Sequence, residues 1–160
     1  MTTSYTPLFA ETDFRTAIDR VLSQAQHELL VFDRDLTPLR LEEHHRIKLL
    51  ADFLTKSPIR SIRIVVHDPD KVERSSPRLM QLIAHHSHTI TCRQTPDNLR
   101  QLADGHLIAD KNNGVRRFQF DQPRSALILE DANYLQPWRQ RFEDLWQSSS
   151  SCLLPTTTGL

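Results

Sequence analysis

The chain has 160 residues, of which 38% are hydrophobic and 25% are charged, and its formal net charge at pH 7 is zero. This length suffices for one hydrophobic core and is short for two ordinary domains, while the neutral charge argues against a basic nucleic-acid arm or an acidic tail. Because no stretch approaches the roughly 20 apolar residues of a membrane helix, and no apolar run of signal-peptide length opens the chain, we expect a cytoplasmic protein without a membrane partner.

The first half of the chain alternates between helical and strand-like patterns. Apolar residues spaced three and four apart, from Phe14 to Ala25, predict an amphipathic helix with Thr12 or Asp13 as its cap. The patterns that follow predict a strand at 28–33, a helix at 39–56, a strand at 59–68, a helix from Ser75 or Ser76, and a strand at 88–94. This alternation is typical of parallel strands joined by right-handed crossovers.

The second half of the chain begins with adjacent strands instead. Two apolar runs, Asp104–Asp110 and Val115–Phe120, flank the hairpin-type turn KNNG, and a third strand follows them. A last helix begins near Ala132 and carries a heavy apolar stripe. We therefore predict one α/β domain over residues 1–148, in which a single mixed β-sheet has helices on both faces, and a C-terminal tail at 149–160.

The composition argues against a cofactor or metal site. Only three glycines are present and neither GxGxxG nor GxxxxGK[ST] occurs, whereas phosphate-cradling loops need glycine so that backbone N–H groups can approach the ligand. The two cysteines show no CxxC spacing. The histidines of HHSH, residues 85–88, point in different directions on a helix and lack carboxylate or thiolate neighbours. No cofactor and no metal are therefore predicted.

Polar side chains follow the first two predicted strands. Asp33 and Arg34 end the first strand, and His67 lies at the end of the second. Ligands of open α/β sheets bind at this carboxyl edge, so the pattern predicts a polar pocket in which Arg34 grips an anion. The alternative is a turn whose charges face water. His67 beside Asp68 is also a candidate acid–base pair.

The order of elements resembles one phospholipase D-like domain. The likeness is best over residues 97–146, where HLIADKNNGVRR and the segment that begins ANYLQPWRQRF are similar to a bacterial domain family grouped with that fold. In that family the domain sometimes follows an acetyltransferase domain in longer proteins. The resemblance implies that the chain forms one half of a phospholipase D-like structure.

Active phospholipase D-like enzymes carry the motif His-x-Lys-x-x-x-x-Asp, followed by a Gly-Ser segment. In these enzymes the histidine attacks phosphorus, the lysine neutralises the phosphate oxygens and the aspartate orients the imidazole. The resemblance places His106 at the histidine position, Ile108 at the lysine position and Asn113 at the aspartate position, and no Gly-Ser pair follows. Because isoleucine offers no charge to the transition state, we expect no phosphodiesterase turnover on generic substrates.

We predict a non-catalytic phospholipase D-like module that binds a partner protein or an anionic ligand. The candidate ligand-binding residues are Asp33, Arg34, His67 and His106. Two alternatives stay open: a phosphodiesterase or other hydrolase that uses His106, and a nucleic-acid-binding domain that uses the excess of sixteen arginines over four lysines. The neutral net charge weighs against nucleic acid. Because phospholipase D-like domains work in pairs, we expect a homodimer through the edge that carries His106, or an acetyltransferase-like protein as partner.

Overall fold

Eight strands form a single mixed sheet in the part of the chain that the computed structural model describes, residues 4–153. In chain order the strands are β1 (Tyr5–Leu8), β2 (Glu28–Asp33), β3 (Ser61–Val66), β4 (Ile90–Gln94), β5 (Gly105–Ala109), β6 (Asn113–Gln119), β7 (Gln122–Ile128) and β8 (Ser150–Ser151). Their order across the sheet is β1-β7-β6-β5-β2-β3-β4-β8. The α-helices are α1 (Glu11–Gln24), α2 (His44–Thr55), α3 (Pro69–Ser75), α4 (Pro77–His85) and α5 (Ala132–Ser148). This architecture confirms the predicted α/β fold with one mixed sheet.

The two halves of the sheet differ in strand direction. β2, β3 and β4 are parallel, and α2 and the α3–α4 pair connect them. β5, β6 and β7 follow one another as antiparallel strands, and β5 lies antiparallel to β2. The turn between β5 and β6 occupies residues 110–112, where Asp110 has a left-handed φ of 59°. The Asp110 carboxylate accepts hydrogen bonds from the backbone N–H groups of Gln26, His27 and Glu28, which ties this turn to the start of β2.

Strand β2 is buried on both faces. Leu29 and Val31 belong to the apolar cluster that includes α1, α2 and α4, whereas Leu30 and Phe32 belong to the cluster that includes α5. A strand covered on both sides has no polar face, and residues 28–33 therefore read as a continuous apolar run rather than an alternating one.

Two segments between the parallel strands differ from the sequence-based prediction. The predicted helix at 39–56 begins only at His44, because the residues before it form turns in which Leu36 and Arg40 have positive φ values of 68° and 51°. The segment expected to be a loop after β3 contains α3. Its first turn begins with Pro69, and the Asp68 carboxylate caps it by accepting a hydrogen bond from the backbone N–H of Lys71.

Both outer edges of the sheet are formed by strands that the sequence patterns did not predict. β1 pairs antiparallel with β7 at one edge. At the other edge Ser150–Ser151, within the predicted tail, pair antiparallel with β4, while residues 154–160 of that tail lie outside the described residues. Among the helices of residues 4–153, none is long and apolar enough to cross a membrane.

Gly105 lies so close to β2 that the sheet leaves no space for a side chain at this position. A Cβ atom there would lie 2.9 Å from Oδ1 of Asp33 and 3.1 Å from the carbonyl oxygen of Phe32.

We expect Gly105→Ala to lower the free energy of unfolding by about 1–3 kcal/mol in urea denaturation, because the backbone must shift. Gly114→Ala is the matched control and should cost less, since its Cβ would meet mainly Cδ1 of Leu135 at 2.8 Å, a side-chain methyl group that can rotate away. Equal losses would contradict this account.

Candidate ligand-binding edge

The carboxyl ends of β2 and β3 meet the start of β5 at one edge of the sheet. In this register Phe32 lies opposite His106, and His106 lies opposite Arg116 of β6. Arg141 of α5 binds Asp104 just before β5, and Lys71 of α3 binds Asp35 just after β2. We call this group of polar residues the β2–β5 edge, and its members are Arg34, Asp35, His67, Lys71, Asp104, His106, Arg116 and Arg141.

His106 is sealed inside the protein. The residue is 1% exposed, and its ring lies near Phe32 and Phe142 at centroid distances of 5.6 and 5.9 Å. Neither ring nitrogen has a hydrogen-bond partner among the described residues. Burial lowers the pKa of His106 to about 3, although the negative charge of Asp104 opposes this shift. The imidazole is therefore neutral at pH 7.

The two other positions of the phosphodiesterase motif also have structural roles here. Ile108 is fully buried and packs in the apolar cluster that includes Leu135 and Phe142 of α5. The Asn113 side chain accepts a hydrogen bond from the backbone N–H of Glu130 at 2.9 Å, which joins the start of β6 to the segment after β7. Neither residue provides the positive charge or the orienting carboxylate that the motif's chemistry needs.

Asp104 holds two arginines directly beside His106. Arg141 of α5 donates two hydrogen bonds of 2.7 Å to the two carboxylate oxygens, and Nε of Arg116 donates a third at 3.2 Å. Burial opposes ionisation of Asp104, but the hydrogen bonds from Arg141 and the charges of Arg141 and Arg116 hold the pKa of Asp104 below its usual range. This ion cluster attaches α5 to the β5–β6 hairpin.

The buried His67 side chain bonds to two segments that follow it in the chain and is not paired with Asp68. Its Nε2 lies 2.8 Å from the carbonyl oxygen of Leu102, and its Nδ1 lies 2.6 Å from Oγ1 of Thr95. Because a carbonyl can only accept, Nε2 carries the proton and Nδ1 accepts from the threonine hydroxyl. Burial is the main cause that lowers the pKa of His67. The neutral ring thus joins the end of β3 to the segment that leads into β5.

Arg34 and Asp35 form the outer part of the edge. The Arg34 guanidinium stacks over the Phe120 ring at 3.6 Å, and its Nε donates to Asp35 at 3.0 Å. Lys71 of α3 reaches the same Asp35 oxygen at 3.0 Å. Burial alone would raise the pKa of Asp35, but hydrogen bonds from Thr37 and Lys71 hold it below its usual range. Asp35 is therefore an ionised and well-partnered carboxylate.

Asp33 lies on the other face of the sheet. Side chains alternate along β2, so Asp33 points away from the α5 side, where Phe32 lies, and it is 1% exposed. Its Oδ1 accepts from the backbone N–H of Arg34 at 2.8 Å, whereas Oδ2 has no partner among the described residues. Burial raises the pKa of Asp33 to about 7.

The four residues that the sequence nominated therefore reach one edge but do not share one pocket. His67 and His106 lie beside Phe32 on the α5 side, and the sheet separates them from Asp33, whereas Arg34 lies beyond the end of the strand and stacks on Phe120. Asp104 and Arg141 were not among the residues that the sequence pattern nominated. Nothing in the local sequence marked them, because one precedes a strand and the other lies on a helix 37 positions later.

Residues 10–154 match a family described as a domain of unknown function (DUF7931). The chain belongs to this family. The matched region runs from just before α1 to just after β8, so that within the described residues it contains every strand except β1. No curated protein matches the chain.

Solved structures share the fold of this DUF7931 domain at low sequence identity. One of them is TrmBL2, an archaeal chromatin protein described as showing a novel mode of DNA binding. Its TM-score is 0.67 at 14% identity, and the match covers 92% of this chain and 54% of that one. Nuc from Salmonella typhimurium, a phospholipase D family member, has a TM-score of 0.65 and 13% identity, with 92% of this chain and 97% of that one covered. A phosphatidylserine synthase from Haemophilus influenzae Rd KW20 has a TM-score of 0.65 and 11% identity, with 94% and 40% covered. These likenesses establish a phospholipase D-like fold and no activity.

The unpartnered state of His106 leads to a prediction about stability. A buried polar group without a hydrogen bond costs free energy, so we expect His106→Leu to raise the free energy of unfolding at pH 7 by about 1–3 kcal/mol. His67→Leu is the matched control. It removes a histidine whose two nitrogens are both bonded, and it should lower stability by about 1–3 kcal/mol. Urea denaturation compares the two, and a loss in His106→Leu as large as in His67→Leu would contradict the assignment.

The two buried groups His106 and Asp33 make opposite contributions to the pH dependence of folding. The pKa of His106 is lowered from 6.5 to about 3, so the unfolded chain binds a proton that the folded protein excludes, and this contribution to stability is lost as the pH falls through that window. The pKa of Asp33 is raised from 3.8 to about 7, so the folded protein keeps a proton that the unfolded chain releases, and this contribution is lost as the pH rises through that window.

Single substitutions should separate these contributions between about pH 4 and pH 6.5. We expect His106→Leu to lose stability less steeply than the wild-type protein on acidification, by up to about 1.4 kcal/mol per pH unit. Asp33→Asn should lose stability more steeply, by a similar amount. Urea denaturation at several pH values in this window measures both slopes. Profiles parallel to that of the wild-type protein would show that neither group is buried in the state described here.

Proposed function

We propose that this DUF7931 domain is a non-catalytic phospholipase D-like module that binds a phosphate-bearing anion at the β2–β5 edge. The distribution of charge at that edge carries the proposal. The carboxylates Asp35 and Asp104 have only 2% and 8% of their side chains exposed, whereas their cationic partners are 28–42% exposed. These partners are Arg34, Lys71, Arg116 and Arg141. Two hidden negative charges thus hold four cations at the surface, and the edge offers net positive charge to solvent.

The geometry of the ion pairs leaves donors for a ligand. Arg34 and Arg116 both bind their carboxylates through Nε, so these ion pairs do not use the two terminal nitrogens of either guanidinium group. Terminal guanidinium nitrogens form the planar fork that matches two oxygens of a phosphate group. Since the carboxylates already orient both side chains, less conformational entropy is lost when an anion binds.

Aromatic rings beside these cations support the same assignment. Phe120 lies beneath Arg34, and Phe118 lies 5.8 Å from the guanidinium carbons of Arg116 and Arg124. Stacking of this kind keeps a guanidinium plane in position. The names of two structural neighbours, a chromatin protein with a mode of DNA binding and a phosphatidylserine synthase, associate this fold with phosphate-bearing molecules in those proteins.

Binding without turnover follows from the histidine. A nucleophile must reach the phosphorus atom, and His106 is 1% exposed beneath Phe142 and the Asp104 cluster. The position of the motif's lysine holds Ile108, which is itself fully buried. The edge therefore offers positive charge for recognition but no group for attack.

Fluorescence anisotropy with a short labelled single-stranded oligonucleotide tests the proposal, with inorganic pyrophosphate as competitor. We expect Arg34→Gln and Arg116→Gln each to weaken binding about five- to tenfold, because each removes one charge-assisted contact. Arg20→Gln is the matched control, since Arg20 is exposed on α1, on the other face of the sheet, and should leave the affinity unchanged. The same samples should not hydrolyse the oligonucleotide or bis-nitrophenyl phosphate.

Three results would overturn the proposal. Absence of binding by the wild-type protein would remove the anion site. An equal loss of affinity in Arg20→Gln would show that the cations act without regard to position. Hydrolysis that disappears in a folded His106→Ala variant would establish a phosphodiesterase and make His106 its nucleophile.

The homodimer and the acetyltransferase-like partner expected from the sequence stay proposals as well. A two-fold contact at the β2–β5 edge would bring two positive surfaces together, and like charges repel. A polyanion that bridges both copies would offset this repulsion. This form of the dimer therefore depends on the proposed ligand.

A further inference from the structure

The two cysteines of the chain lie opposite each other at the outer edge of the sheet. β4 and β8 pair antiparallel, with Arg93 opposite Ser151 and Gln94 opposite Ser150. One further step in this register places Cys152 opposite Cys92, and the backbone N–H of Cys152 donates to the carbonyl oxygen of Cys92 at 3.0 Å. Residues directly opposite in an antiparallel pair project to the same face of the sheet.

Packing and electrostatics agree with this register. Cys92 is a member of the apolar cluster on the α1–α2–α4 side, and Cys152 packs against that same cluster. Both thiols are free, and both line a small cleft of about 130 Å³ together with Ile83 and Trp146. Burial raises the pKa of both thiols, that of Cys152 to about 11, and the charge of Cys152 raises the pKa of Cys92 further.

We propose that Cys92 and Cys152 are a modification site, at which exchange with a low-molecular-weight disulfide forms an intramolecular cross-strand disulfide. Opposite residues of an antiparallel pair have Cα atoms about 4.5–5.5 Å apart, within the 4.4–6.8 Å range that disulfides span. β8 has two residues and pairs with β4 alone, so it can adjust to the geometry of the bond. No other pair of cysteines exists in the chain.

The order of the two exchange steps follows from exposure. Cys152 is half-buried and Cys92 is 6% exposed, so the Cys152 thiolate attacks the small disulfide first and releases one small thiol. The Cys92 thiolate then attacks the Cys152 sulfur of this mixed disulfide and releases the second small thiol. Two protein S–H bonds are lost and one S–S bond forms, while the S–S bond of the reagent is reduced. The two protein protons end on the two released thiols.

The disulfide would fasten the end of α5 to the sheet. Trp146 near that end accepts a hydrogen bond from Nη1 of Arg93 through its carbonyl oxygen, and the Arg93 guanidinium stacks over its ring at 4.2 Å. β8 follows α5 directly, and its ladder to β4 spans two residue pairs. The covalent bond would close a loop that contains β5, β6, β7 and α5, which restricts the unfolded chain and raises the melting temperature.

Oxidation of the full chain with glutathione disulfide tests this inference. After incubation at mildly alkaline pH, we expect mass spectrometry to show the monomer two hydrogens lighter, without iodoacetamide labelling, and with the peptides of Cys92 and Cys152 cross-linked. The melting temperature should rise by roughly 5–10 °C and return on reduction. Because this measurement uses the wild-type protein, no substitution can confound it through misfolding.

The matched control moves one thiol to the opposite face of the strand. The double variant Ser151→Cys/Cys152→Ser keeps two cysteines at nearly the same separation in sequence, but residue 151 points to the other side of the sheet. This variant should form the intramolecular bond at least tenfold more slowly. Equal rates, cross-links between separate chains, or two thiols that stay fully reduced at equilibrium would each overturn the proposal.

Discussion

Burial of β2 on both faces is the constraint on which the rest of the structure depends. This strand joins the parallel half of the sheet, through β3, to the antiparallel half, through β5. Its apolar residues anchor α1 and α2 on one side and α5 on the other. At the end of the strand, the polar residue Asp33 is still buried. The β2–β5 edge begins here, because the apolar core residue Phe32 is followed directly by two ionisable residues, Asp33 and Arg34.

The same constraint explains why two buried side chains, His106 and Asp33, keep polar atoms without a hydrogen-bond partner among the described residues. His106 pairs with Phe32 across the strands, and the side chains that cover Phe32 also cover the imidazole. Asp33 points to the opposite face, where Gly105 leaves space for its carboxylate. Burial disfavours the charged form of both groups, since it lowers the pKa of His106 to about 3 and raises the pKa of Asp33 to about 7. His106 and Ile108, which the resemblance places at motif positions, are both buried in the core of this protein.

At the β2–β5 edge, the negative side chains lie below the surface and the positive side chains lie at the surface. The chain is neutral overall, yet the carboxylates of the β2–β5 edge are hidden and their cationic partners reach solvent. Long arginine and lysine side chains allow this separation, since their charged ends extend beyond the short aspartates that hold them. The net charge of the chain does not reveal such a surface, because it averages the charges of all 160 residues.

The sequence by itself determined most of the order of helices and strands and the change from parallel to antiparallel pairing, because periodicity and turn chemistry are local. It missed the seven-residue helix α3, although Asp68 as cap and Pro69 in the first turn are local signals. It also missed β1 and β8, which form by pairing with strands that are distant in sequence. Only the tertiary structure decided that Asp104, Arg116 and Arg141 meet and that Asp33 faces away from His106. These residues come from separate elements, and a strand buried on both faces has no alternation of polar and apolar residues to show which way each side chain points.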